Sequence, residues 1–217
     1  MRKYEVIAFD LDGTLTNPER GLMASFKYAH QKMGIAYESE NALRRFIGPS
    51  LYDEWQRCYG ISAEKASEML LVFREFFSVY GWWDNEVYKG IPELLCDLKN
   101  AGYRLVVATS KPEHFAKKII RKFDIEKYFE FIGGASSDKT RDKKHEVLEY
   151  VLESIGWPDR KRVIIVGDRK YDAEGAAAVG IDSLGVAWGF GSDAELKKSG
   201  FTAVAAGVDD VRKFFIN

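Results

Sequence analysis

Near the start of the chain an apolar run, Val6-Ile7-Ala8-Phe9, stops at two carboxylates, Asp10 and Asp12, followed by Gly13 and Thr14. A short apolar run with β-branched members, bounded by a turn signal, reads as a buried strand. Successive strand side chains alternate faces, so Asp10 and Asp12 project to one side if the extended path continues through them. Gly13 lets the chain turn sharply and brings backbone N–H groups close to whatever sits there. Two carboxylates this close repel unless a cation joins them or one takes up a proton, and both outcomes serve chemistry on a phosphate. A lone Asp-x-Asp would otherwise be a strand end with a polar turn. The later stretches weigh against that plain reading.

With 217 residues the chain can build one good core and a smaller subdomain. A net charge of −1 without a long basic run argues against nucleic acid or an acidic membrane as partner. The apolar stretch after Met1-Arg2-Lys3-Tyr4 meets Asp10 too soon for an export signal or a membrane span. Cys58 and Cys96 both sit in helix-like patterns and read as buried reduced thiols, which suggests a cytoplasmic protein. His30, His114 and His145 are scattered without metal-ligand spacing and are expected at the surface or at helix ends.

After Thr14 the period changes. Leu22, Phe26, Ala29 and Met33 recur at helical spacing up to Gly34; Leu51, Trp55, Cys58 and Tyr59 make a second stripe. A third runs from Met69 through Phe73 and Phe77 to Tyr80, entered through Ser62 as N-cap. No strand is expected between 18 and 85, so 17–85 reads as an inserted helical subdomain, with 1–16 and 86–217 as the catalytic core. From Gly90 strand and helix alternate. Strands are expected at Tyr103–Thr109, Phe129–Gly133, Arg162–Gly167, Ile181–Ala187 and Thr202–Ala205. Helices are expected from Pro92, around Phe115 to Phe123, Val147 to Ile155, Ala173 to Val179, after a Ser192/Glu195 capping box, and Val208 to Phe215. Such alternation implies an α/β fold, a Rossmann-like parallel sheet with helices on both faces. Ligands of such sheets bind beyond the carboxyl ends of the strands.

Those ends carry complementary groups: Asp10 and Asp12; Thr109 and Ser110 before Lys111-Pro112; and Asp168 and Asp172 after Gly167. A cationic cluster, Arg141-Asp142-Lys143-Lys144, precedes the helix at 145–155. Singly, each is a turn, an N-cap or a solvated charge; in this order they form a constellation. It resembles the haloacid dehalogenase superfamily, and within it the phosphatases with a helical cap. Asp10-x-Asp12-Gly13-Thr14 matches the first motif, Thr109 the second, a lysine near 144 the third, and Gly167-Asp168-x-x-x-Asp172 the fourth. The resemblance spans nearly the whole chain. An aspartate at position 12 implies phosphoryl transfer, since the dehalogenase branch lacks an acid there.

A phosphate monoester is dianionic and resists anionic nucleophiles. A hard divalent cation bridging carboxylate and phosphate oxygens removes that repulsion, and Mg²⁺ favours such ligands. Asp10 can then attack phosphorus, while Asp12, protonated, serves the leaving oxygen and later the hydrolytic water. The resemblance implies that Asp168 holds the metal with Asp10 and the Asp12 backbone carbonyl. Asp172 is a ligand through water or a partner of one. The Thr109 hydroxyl, with Ser110 and N–H groups around Gly13 and Thr14, would bind the phosphate, and Lys144, with Lys143 in reserve, would balance charge. The chain lacks the Lys-Pro-x-Pro of phosphoglycolate phosphatases; Gly134 to Lys144 looks closer to a 5′-nucleotidase-like branch.

Phe46-Ile47-Gly48-Pro49-Ser50-Leu51 resembles the cap loop that selects substrate, with Gly48 and Pro49 as a stiff turn. Apolar Ile47 and Leu51 argue against a sugar-phosphate mutase, and Asp12 with the insert against a phospho-acceptor signalling module. The expected substrate is a small phosphorylated metabolite. Trp82 and Trp83 leave monomer and homodimer both open.

Overall fold

A computed structural model describes residues 3–136, 138 and 140–216; Met1, Arg2, Ser137, Lys139 and Asn217 lie outside the described residues. In chain order the elements are β1 (Val6–Phe9), β2 (Thr16–Asn17), α1 (Glu19–Met33), α2 (Glu40–Leu43), α3 (Leu51–Tyr59), α4 (Ala63–Phe76), β3 (Glu86–Val87) and α5 (Ile91–Asn100). There follow β4 (Arg104–Pro112), α6 (Glu113–Lys122), β5 (Phe131–Ala135), α7 (Lys144–Ser154), β6 (Val163–Gly167), α8 (Lys170–Val179), β7 (Asp182–Val186), α9 (Asp193–Lys198), β8 (Ala203–Ala205) and α10 (Val208–Phe215). Two compact units result: the residues up to Asn17 with those from Val87 on, and Pro18–Glu86.

The first unit is a parallel six-stranded sheet in the order β5-β4-β1-β6-β7-β8. Alternate residues of three neighbouring strands, Val6 and Ala8, Val106 and Ala108, Val163 and Ile165, bury one face under Val147, Leu148 and Val151 of α7 and Ala176 and Val179 of α8. The residues between them, including Ile7, Phe9, Leu105, Val107, Ile164 and Val166, are equally buried, as a sheet covered on both faces requires. Register aligns the strand ends. Phe9 lies level with Val107 on one side and Val166 on the other, so Asp10, Ala108 and Gly167 emerge together. Strand order reverses on either side of β1, which places the crevice of an open α/β sheet there.

Two strands differ from the expected bounds by more than one residue. β4 continues past Thr109 to Pro112 through a register shift, and Pro112 is tolerated because it lies beyond that shift at the strand's end. β5 begins two residues later than expected.

The second unit is helical, with Ser39, Ser50 and Ser62 capping α2, α3 and α4 by accepting backbone N–H groups from Ala42, Asp53 and Lys65. The aromatic stripe is its core: Phe26 stacks on Phe73 at 5.5 Å between ring centroids, and Phe73 on Phe77 at 5.3 Å. α4 runs into a π-helical turn, Phe77–Gly81, so the third stripe is one continuous helical path. The short α2 and the 3-10 turn Arg44–Phe46 after it have no apolar periodicity long enough to announce them.

His30 lies in the last turn of α1, one of the two places expected, but it is far from the surface, 1% exposed. It sits four residues after Phe26, on the buried stripe, ringed by Tyr37, Phe46, Trp55 and Tyr59. Nδ1 donates to the Phe26 carbonyl at 2.8 Å, which leaves Nε2 to accept the Tyr59 hydroxyl at 2.9 Å. Both cysteines are free and half-buried, less enclosed than expected. Among the described residues no helix is long and apolar enough to cross a membrane.

Burial lowers the His30 pKa below its ordinary value near 6.5, against a smaller upward pull from the Phe26 carbonyl. The folded state therefore prefers neutral imidazole. That contribution is complete above about pH 6.5 and is lost as pH falls below it. Urea midpoints between pH 7 and pH 5 should fall more steeply in the native chain than in His30→Gln. Equal slopes would remove His30 from the account.

Candidate active site

The aligned strand ends place Asp10 one residue past β1, Thr109 near the end of β4, and Asp168 one residue past β6. Lys144 opens α7 and is buried, with its Nζ 2.8 Å from Asp10 Oδ1 and 2.8 Å from Asp172 Oδ1. The same ammonium donates to the Ala108 carbonyl at 3.1 Å. Lys143, one residue earlier, is exposed. Small residues make room for this arrangement. A Cβ at Gly175 of α8 would overlap the Lys144 side chain, and one at Gly167 would overlap the Asp172 carboxyl group.

Asp172 has two tasks. Its Oδ2 accepts the Arg169 backbone N–H at 3.1 Å, ordering the first turn of α8, while Oδ1 faces Lys144. Asp168 is fully buried. Its Oδ2 accepts the Phe190 backbone N–H at 2.6 Å, and its Oδ1 the Thr14 hydroxyl at 3.5 Å. Gly13, at φ +87°, is in the left-handed region, and a side chain there would collide with the Asp168 carboxylate. The N–H groups of Gly13 and Thr14 close the turn, donating to the carbonyls of Thr16 and Leu11. The structure thus brings both residues to Asp168 and turns their N–H groups inward. Gly48 and Pro49 belong to the helical unit, in the turn before α3. Ser110 is half-buried beside Thr109.

Lys111 is the residue that sequence reasoning missed. Its ammonium, buried, pairs with Asp12 Oδ2, and its backbone N–H donates to the Thr109 hydroxyl at 3.2 Å. The register shift between Thr109 and Pro112 accompanies this placement; bulges beside active sites often re-aim a side chain. Lys-Pro in sequence reads only as a chain break.

Ligand atoms of Asp10, Asp168 and Asp172 all lie within 4.8 Å of one another. Four carboxylates, with Asp12, therefore face the two ammonium groups of Lys111 and Lys144, a formal deficit of two positive charges. Burial, then the Asp172 and Asp10 carboxylates, push Asp168 well above the usual range. Burial raises Asp172 to about 6 despite Lys144. Burial also raises Asp12, with Lys111 opposing. Lys144 is pulled down by burial but pushed up more strongly by Asp10 and Asp172, and remains charged. Asp12 Oδ1 is buried and accepts no hydrogen bond among the described residues. An all-oxygen donor set with this deficit fits a hard divalent cation.

Fold and site together define a parallel α/β enzyme whose buried carboxylates and lysine are arranged for chemistry on an anionic group. The description "Haloacid dehalogenase-like hydrolase" matches residues 7–186, and the chain belongs to that family as an enzyme of the phosphatase kind. It is similar to a crystal structure described as a predicted phosphatase from Clostridium acetobutylicum, 39% identical with a TM-score of 0.92 over 97% of each chain. It is 41% identical over 96% of its length to the tyrosine-protein kinase PtkA of Mycobacterium tuberculosis, covering 72% of that protein. It is also 40% identical over 90% of its length to a 5′-nucleotidase of Pseudomonas aeruginosa, covering 88%.

Replacing Lys144 by methionine leaves two buried carboxylates without their cation. Breaking such a pair costs about 3–5 kcal/mol. Urea unfolding in a chelator should show that loss, and added Mg²⁺ should recover part of it in the variant. An unchanged midpoint would remove the Lys144 ion pairs from the account of stability.

Proposed function

We propose that the chain hydrolyses phosphomonoesters of small metabolites by way of a phosphorylated Asp10, with Mg²⁺ as cofactor. The observation that carries this is Asp10, buried at the switch point of the sheet, against the Lys144 ammonium and two further carboxylates. Asp10, Asp168 and the Asp12 backbone carbonyl would hold Mg²⁺, with Asp172 a ligand through water or a partner of one, and the cation would supply charge neutralisation at the phosphoryl group. Lys144 orients the Asp10 carboxylate and screens its charge, so that one oxygen can attack phosphorus as the bond to the leaving oxygen breaks. Asp12, whose burial favours a proton, protonates that oxygen. It then takes a proton from the water that cleaves the acyl phosphate and releases inorganic phosphate. The Thr109 hydroxyl accepts from Lys111 and still has its own hydrogen to donate to a phosphoryl oxygen.

Substrate selection is assigned to Gly48 and Pro49 of the helical unit, acting as a cap, and to Ser110. Relatives are named as a 5′-nucleotidase and a tyrosine-protein kinase, so nucleoside 5′-monophosphates and aryl phosphates are the first substrates to try. A cytoplasmic setting and no nucleic-acid partner complete the reading.

Phosphate release with Mg²⁺ should be strong for one class among nucleoside monophosphates, phosphoglycolate, hexose phosphates and an aryl phosphate. It should vanish with a chelator and in Asp10→Asn, by at least about 10³-fold for loss of a covalent nucleophile. Silence from folded protein across the panel would sink the reading. Transfer of label to a second substrate without phosphate release would favour a mutase or kinase.

A further inference from the structure

The segment after β7 has no part in the chemistry above, yet three successive residues of it, Gly189, Phe190 and Gly191, pack against Asp168. A Cβ at Gly189 would overlap the Asp168 side chain, and one at Gly191 would overlap the Asp168 carbonyl oxygen. Between them the Phe190 N–H holds Oδ2 at 2.6 Å. Trp188 donates its indole N–H to the Thr14 carbonyl at 3.2 Å, and the Thr14 hydroxyl in turn meets Asp168 Oδ1. The far end of the segment is fastened as well. Ser192 accepts the Glu195 N–H at 3.1 Å, which is half of the expected capping box. The reciprocal half is diverted. Glu195 Oε1 accepts from Arg169 Nε and from the Lys170 backbone N–H, both at 2.9 Å, instead of turning back to Ser192.

We infer that Trp188–Glu195 is a positioning brace for Asp168: Trp188 and Glu195 lock the backbone on either side of the carboxylate, so that one orientation is presented to a divalent cation. The physical reason lies in the burial of Asp168. A carboxylate with glycines packed against it and one strong N–H donor has few rotamers left. A cation bound there then pays little ordering entropy. Glu195 and Trp188 touch neither the reacting atoms nor the ligand oxygens, so their effect should appear in cation affinity.

The inference rests on the metal-dependent reading, and the test separates the two. Mn²⁺ alone is titrated calorimetrically into the full chain and into Trp188→Phe, Glu195→Leu, Glu195→Gln and Asp168→Asn, with metal-free melting followed in parallel. Partners behind a metal ligand typically change affinity 10–100-fold. Trp188→Phe and Glu195→Leu should each weaken Mn²⁺ about tenfold while the metal-free protein stays folded at the titration temperature. Glu195→Gln, which keeps one acceptor oxygen for Lys170, should fall between. Unchanged Mn²⁺ affinity in these variants, with binding lost in Asp168→Asn, overturns the brace whatever happens to melting. If the native chain binds no Mn²⁺, or Asp168→Asn binds as the native chain does, the metal site itself fails and the brace with it.

Discussion

The Lys144 ammonium, buried between Asp10 and Asp172, is the interaction on which the site depends. Taking a cation and two anions out of water costs several kcal/mol per ion, so the arrangement persists only because geometry makes the attraction large and the Ala108 carbonyl satisfies a further proton of the ammonium. That geometry is set far from the charges. The apolar stripe Val147, Leu148, Val151 clamps α7 to the sheet, and Gly175 lets α8 come close enough for the lysine to pass. Packing of ordinary aliphatic residues thus decides where a charge stands.

The sheet does the rest by register. Because β4 and β6 flank β1 level with one another, residues from three distant stretches reach the same edge without any long side chain having to search for its partner. Catalytic groups held on strand ends and helix starts lose little freedom when they bind. The second cation, Lys111, reaches the site from a strand with a local shift in pairing, and its backbone also orders the Thr109 hydroxyl.

Much of this was legible in the residues because the signals are local. The β1 run, the β6 run and the α7 stripe each satisfy their period alone, and Asp10-x-Asp12 gains meaning only beside Thr109, Lys144 and Asp168. What could not be read depends on tertiary placement. Lys111 is one lysine in a Lys-Pro pair until the strand bulges. His30 resembles any polar residue on a helix until four aromatic rings surround it. Glu195 satisfies a capping pattern in sequence, but its carboxylate has a stronger donor set in Arg169 and Lys170, which no local rule contains. Gly189 and Gly191 look like loop glycines; only the position of Asp168 shows what they leave room for.

The central strand has a consequence for how the chain is made. β1 leaves the ribosome well before both its neighbours, which begin at Arg104 and Val163. An apolar strand without partners is exposed to wrong pairing while it waits. The helical unit, whose contacts are local, is synthesised in that interval and can form on its own timescale, keeping the waiting strand tethered to something already folded. The sheet can close around β1 only when β6 arrives, so Asp10 gains its full setting only after Val163–Gly167 has been made.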